Sequence, residues 1–237
     1  MKRTINTVVS LVLLILLAGI SSGSVSAQRQ MENLGRGLVA FRLTGDSVFL
    51  SWRMLGSDPD DIGFNVYRQN GKGRATKVNN SPLTGGTSFI DAGAGSRTDL
   101  AYHVRPVLNG KELERSSPFT VPAGTEKIQY IDIPLNTPAG YTPNDVSVGD
   151  LDGDGEYDLV VHQTGRSIDT PSTGISGIPV FQAYKTDGTF LWEISLGRNI
   201  REGAHYTQFM VYDLDSDGRA EVVCKTADGT VDGSGVV

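Results

Sequence analysis

The chain is poor in several residue types, and each shortage closes off a class of protein. It has one cysteine, Cys224, so no disulfide can form within it and no multi-cysteine zinc or redox centre can be built. Positive charge is in deficit: 21 lysines and arginines stand against 27 aspartates and glutamates, a formal net charge of −6. Nucleic-acid binders need the reverse, because Lys and Arg must replace the counterions along phosphate. No apolar run approaches the ~20 residues that span a bilayer; the longest, Val8 to Ile20, has about 13. With 38% hydrophobic residues and 29 glycines in 237, there is still enough apolar material for a core broken by many turns, which excludes a disordered or collagen-like chain.

The short apolar run is preceded by Lys2-Arg3 and followed by small residues ending Val25-Ser26-Ala27. These are the basic, hydrophobic and cleavage regions of a secretory signal peptide over 1–27, cut near Ala27. No cysteine follows the run, so a lipoprotein anchor is not indicated. The mature chain is expected to work outside the cytoplasm, extracellular or periplasmic, free of the membrane and where calcium is plentiful enough to fill weak sites.

Residues 28–122 alternate with period two: Val48, Leu50 and Trp52 against Phe49, Ser51 and Arg53. Further strand signals lie at 64–68, 88–90 and 100–105, separated by glycine-rich turns at 70–73 and 91–95. The spacing fits an antiparallel sandwich, and the order of Trp52, the Asn-Val-Tyr-Arg strand and Tyr102 resembles the fibronectin type III pattern. Trp52, Tyr67 and Tyr102 are expected in its core, and the domain by itself indicates no chemistry.

Residues 123–237 carry two echoing segments 63 residues apart. One is Asp150-Leu151-Asp152-Gly153-Asp154-Gly155-Glu156-Tyr157-Asp158, the other Asp213-Leu214-Asp215-Ser216-Asp217-Gly218-Arg219-Ala220-Glu221. Carboxylates at positions 1, 3, 5 and 9 converge on one point, and glycine at 6 permits the turn that aims the position-7 carbonyl, of Glu156 or Arg219, inward. Hard oxygen donors of this kind suit Ca²⁺, and without a cation the crowded carboxylates would repel one another. An EF-hand shares positions 1, 3, 5 and 6 but needs an acid at 12 between two helices; here position 12 is Val161 or Cys224, and strand-like residues flank both loops. The repeat suggests the blades of a β-propeller, and a ring needs at least about four. The chain is therefore expected to be the N-terminal portion of a longer protein.

Several longer stretches match one family: Gln30 to Ala40, Phe49 to Arg53, Phe64 to Arg68, Asn144 to Asp150 and Gly203 to Asp213. Together they resemble the polysaccharide lyase family 11 rhamnogalacturonan lyases from about 30 to 237. The resemblance implies an all-β chain, a fibronectin-like sandwich followed by the first blades of an eight-bladed, calcium-binding propeller. It implies β-elimination at galacturonate in the pectin backbone, rhamnogalacturonan I. It also implies that Asn144 helps bind calcium in the substrate cleft and that the basic catalytic residues lie beyond Val237, leaving the fragment inactive alone. A Trp-Asp pair common in the family is replaced here by Gln163-Thr164, which puts the cleft calcium in doubt unless Asp169 substitutes.

Other residues are candidates for substrate contact. His205-Tyr206 precedes a predicted strand in a family-like motif, and His162 and Lys225 follow the calcium-loop strands where strand ends reach a propeller's channel. Arg166 and Arg198 could meet a uronate carboxylate. Cys224 reads as an inert buried thiol, and Asn79-Asn80-Ser81 is a formal glycosylation sequon. Two rival functions share part of this pattern: a propeller that binds or adheres without catalysis, and a glycoside hydrolase, disfavoured because the paired carboxylates it needs are committed to the loops.

Overall fold

Among the described residues the chain forms fourteen strands, all antiparallel where they pair, and no helix. The computed structural model describes residues 32–43, 46–95, 97–124, 130–168, 172–203 and 205–237. The expected signal peptide at 1–27 and Asp169 lie outside them.

The first eight strands are β1 (Val39–Arg42), β2 (Val48–Ser51), β3 (Gly63–Asn70), β4 (Thr76–Lys77), β5 (Ser88–Asp91), β6 (Leu100–Leu108), β7 (Lys111–Glu112) and β8 (Phe119–Val121). They form a three-stranded sheet in the order β1-β2-β5 and a five-stranded sheet in which β3 and β6 are central. One apolar cluster draws on both sheets, including Val48, Leu50 and Trp52 from one side and Phe64, Val66, Leu100, Tyr102 and Val104 from the other. Trp52 meets Phe64 edge-on, with ring centroids 5.4 Å apart. The Tyr102 hydroxyl, buried with its ring, donates to Asp91 at 2.9 Å, and Arg68 donates to the same carboxylate at 2.7 Å. A buried polar group is thus satisfied rather than stranded.

Tyr67 does not join this core. Phe64 and Val66 take the inward positions of β3, and strand alternation sends Tyr67 to the opposite face, where its hydroxyl donates to Glu112 at 2.6 Å. Asn79 of the sequon is buried: its Oδ1 accepts from the Val66 amide at 2.8 Å and its Nδ2 donates to the Ser81 carbonyl at 2.8 Å. It serves as a turn fastener with no room for a glycan.

The remaining strands are β9 (Thr142–Gly149), β10 (Asp158–Thr164), β11 (Val180–Tyr184), β12 (Phe190–Ser195), β13 (Phe209–Tyr212) and β14 (Glu221–Cys224). The first four make a meander in the order β12-β11-β10-β9, and the last two a hairpin. A second cluster, including Val160, Phe181, Ala183, Val211 and Ala220, packs the hairpin against the meander. Phe181 and Phe209 meet at 4.6 Å. Gly149 sits where the two touch: a Cβ there would lie 2.5 Å from the Ala220 Cβ and 2.7 Å from Val211 Cγ1.

Gly149→Ala should therefore overpack this contact and cost ~1–3 kcal/mol of stability. Gly85→Ala, where a Cβ meets nothing within 4 Å, should be neutral, and urea unfolding midpoints of the two variants provide the comparison.

Candidate functional site

The two acidic segments fold into loops of the same construction. In the first, Asp150 Oδ1 accepts from the amides of Gly153 at 2.7 Å and Asp154 at 3.1 Å, while its Oδ2 accepts from Gly155 at 2.8 Å. Asp154 takes the Glu156 amide at 2.9 Å and Asp158 the Leu151 amide at 3.0 Å. The second loop repeats this: Asp213 accepts from Ser216 at 2.6 Å and Gly218 at 3.1 Å, Asp217 from Arg219 at 2.9 Å, and Glu221 from Leu214 at 2.7 Å. Positive backbone φ at Gly155 and Gly218 makes glycine the natural residue at position 6. At position 4 the same left-handed turn is taken by Gly153 and by Ser216, whose φ is 66°.

Each loop gathers three of the expected acids, Asp150, Asp152 and Asp158 in one and Asp213, Asp215 and Glu221 in the other, with ligand atoms within 4.8 Å of one another. Asp150, Asp158 and Asp213 are buried. Buried, converging, all-oxygen donors fit a hard divalent cation. Burial, opposed by the hydrogen bond from the Leu151 amide and reinforced by the negative charge of Asp152, pushes the Asp158 carboxyl up to about 6. The first loop also holds an internal counter-ion. Lys185 lies 2.5 Å from Asp152 and 2.6 Å from Asp154, and its hydrogen bond holds Asp154 below the usual carboxylate range. No lysine or arginine pairs with the second loop's acids among the described residues.

Segment 32–36 fastens the first loop to the sandwich. The Gly35 amide donates to the Gly155 carbonyl at 2.6 Å, and the Asp150 amide to Glu32 at 3.3 Å. Arg53, next to core residue Trp52, donates to the Gly35 carbonyl at 3.1 Å, lies 3.5 Å from Glu156 and covers the Tyr157 ring at 4.3 Å.

A cleft of ≈ 470 Å³ opens beside the edge strand β9, lined by Asp145, Val146 and Ser147 of that strand, by His162, and by Gly203, Thr207, Gln208 and Phe209. His162 is buried with Glu202, Nε2 to Oε2 at 3.1 Å. Nε2 faces the carboxyl group, and Nδ1 has no partner among the described residues. Glu202 also takes the Thr207 hydroxyl at 3.3 Å and donates its amide to Ser176 at 2.9 Å.

Comparison with known proteins places this geometry. A family model described as rhamnogalacturonan I lyases beta-sheet domain matches residues 29–122, and one described as rhamnogalacturonan lyase family 11, C-terminal domain, matches 127–237. The chain belongs to rhamnogalacturonan lyase family 11. It is 45% identical over 250 residues to rhamnogalacturonan endolyase YesW of Bacillus subtilis (strain 168), covering 100% of this chain and 38% of the relative. It is 45% identical over 219 residues to rhamnogalacturonan exolyase YesX of the same organism, covering 88% and 34%. The solved Bacillus licheniformis rhamnogalacturonan lyase PL11 superposes with a TM-score of 0.76 at 50% identity over 87% of this chain and 35% of its own. The YesW crystal structure gives 0.77 at 46% identity over 88% and 36%. This family 11 chain thus spans little more than a third of the length of the relatives it matches.

Within the family 11 chain, the other sequence-derived candidates are dispersed. Asn144 is exposed on β9, next to Asp145 of the cleft. His205 and Tyr206 form a turn between the cleft residues Gly203 and Thr207, with Arg201 over the Tyr206 ring at 5.1 Å. Lys225 is exposed after Cys224, whose register partner is the cleft residue Phe209. Gln163 is buried away from His162, donating to Gln182 at 2.9 Å. Arg166 and Arg198 are exposed and line no part of the cleft. Burial raises the Cys224 thiol above its usual range, in line with an inert role. Glu202, Thr207 and Lys185 are additions that sequence reading missed: Thr207 lies inside the family-like stretch Gly203 to Asp213 without being singled out, and no local motif marks the other two.

Because burial pushes the Asp158 carboxyl up to about 6, a cation that binds there must displace its proton at lower pH. The apparent affinity of the first loop for a divalent cation should fall as pH drops through about 6. Calorimetry in buffers of differing ionisation enthalpy should find proton release at about pH 5.5 and little at about pH 7.5.

Proposed function

We propose that this chain is the N-terminal portion of a secreted, calcium-dependent rhamnogalacturonan lyase acting on the pectic backbone rhamnogalacturonan I. In this reading residues 1–27 direct export, 28–122 form a fibronectin type III-like sandwich, and 123–237 supply the opening blades of an eight-bladed propeller. The observation that carries it is the 45% identity to an endolyase and an exolyase along the chain. Paired acidic loops of one construction add support.

The reaction follows from the substrate. Removing the C5 proton of a galacturonate and expelling the C4 oxygen leaves a double bond between C4 and C5. That proton is too weakly acidic until the neighbouring carboxylate is neutralised. A cleft calcium, when bound, supplies that neutralisation. The acidic loops serve the fold instead. Asp150, Asp152, Asp154, Asp158 and the Glu156 carbonyl in one, and Asp213, Asp215, Asp217, Glu221 and the Arg219 carbonyl in the other, surround a structural calcium. Asn144 contributes at the cleft, and His205, Tyr206 and Lys225 meet the sugar chain. The proton acceptor belongs to later blades, so residues 28–237 alone lack activity.

Incubating the full-length protein with rhamnogalacturonan I should raise ultraviolet absorbance as unsaturated uronide accumulates. Chelator should stop the rise and calcium restore it. Product formed equally well in chelator, or by residues 28–237 alone, would contradict the proposal.

A further inference from the structure

The outer face of the five-stranded sheet carries a depression that the proposed function leaves without a role. It has a volume of ≈ 460 Å³ and is lined by Tyr67, Arg74, His103, Arg105, Glu112 and Arg115. Tyr67 on β3 and His103 on β6 are register partners, and their rings stack at 5.0 Å with an interplanar angle of 3°. Three arginines surround this pair against one acid in a chain whose formal net charge is −6.

The charges are not used up internally. Glu112 accepts from the Tyr67 hydroxyl at 2.6 Å and from Asn65 at 2.7 Å, and Arg105 lies 3.8 Å from it while donating to the Leu113 carbonyl at 3.1 Å. Arg74 and Arg115 are exposed and have no hydrogen-bond or ion-pair partner among the described residues. The field at the depression is positive: burial first, then the charges of Arg115 and Arg105, hold the His103 imidazole below its usual range. Guanidinium groups bind carboxylates through paired N–H donors, and the aromatic body of Tyr67 offers apolar surface beside them.

We propose that this depression is a second polysaccharide-binding site, on the sandwich, for the uronate carboxylates of an acidic glycan. The inference takes its ligand class from the lyase reading. The site holds the polymer near the enzyme, which offsets the repulsion between an acidic protein and an acidic substrate. Arg74 and Arg115 carry the recognition, and the Tyr67 ring, backed by the buried His103 stacked on it, forms the surface between them.

The test is calorimetric titration of the full chain with an oligogalacturonate in calcium-containing buffer, beside a neutral galactan oligomer of equal length. The acidic oligomer should bind and the neutral one should not, and affinity should fall as salt is raised. Arg74→Gln and Arg115→Gln should each weaken binding roughly two- to fivefold, and the double variant about tenfold, as expected of exposed ion pairs. Arg97→Gln, an exposed arginine outside the depression, should change nothing. Unaltered unfolding midpoints would show that the variants fold. A double variant that binds like the parent, or equal binding of the neutral oligomer, overturns the site. If the full-length protein fails to release unsaturated uronide yet the arginine variants still lose binding, the lyase reading fails and the site stands.

Discussion

The buried first aspartate of each acidic loop is the constraint on which the second half of the chain depends. Asp150 and Asp213 are withdrawn from water and compensate by collecting the amides of their own turns. A buried carboxylate left unpaired would cost several kcal/mol, so the loop closes around it. That closure joins β9 to β10 and β13 to β14 and fixes the glycines at position 6. It also leaves outward lone pairs converging with those of positions 3 and 9, a ready oxygen cage. The two loops then diverge in charge balance. Lys185 shields the first, whereas the second has no basic partner among the described residues.

The first loop is also where the two hydrophobic clusters are mechanically joined. Hydrogen bonds from Gly35 to Gly155 and from Asp150 to Glu32 are short-range and directional. Arg53 adds a cation over an aromatic face and a contact to Glu156. The close approach explains a glycine at 35: a Cβ there would press on Glu156 Oε1 at 3.2 Å and the Gly155 carbonyl at 3.3 Å. The segment from Glu32 to Gly37 stands out in the sequence only as a family-like motif; its physical work is to dock one set of sheets onto the turn of another.

Beneath the cleft, His162 and Glu202 show how a polar pair can live in a β core. Each would be costly alone, and together with Thr207 and Ser176 they share hydrogen bonds that leave only the His162 Nδ1 without a partner among the pair's described polar atoms. The pair links β10 to the stretch that carries His205 and Tyr206, so the shape of the cleft wall depends on a contact between residues far apart in the chain.

Short-range chemistry was legible in the amino-acid order. The aspartate and glycine spacing announced both loops because their hydrogen bonds close within a few residues, and strand-like residue patterns marked β2, β3, β5, β6, β9, β10, β13 and β14. The two-residue strands β4 and β7 are too short to show a period, and β11 is buried along its whole length, so it does not alternate. Tyr67 looked like core because aromatics usually are; the parity of β3, set by Phe64 and Val66 facing the other sheet, turned it outward. The pairing of Glu202 with His162, of Lys185 with the first loop, and of Arg74 with Arg115 around one depression was decided only by tertiary structure. Each joins elements whose separation is set by sheet pairing and core packing, and no local pattern encodes such a distance.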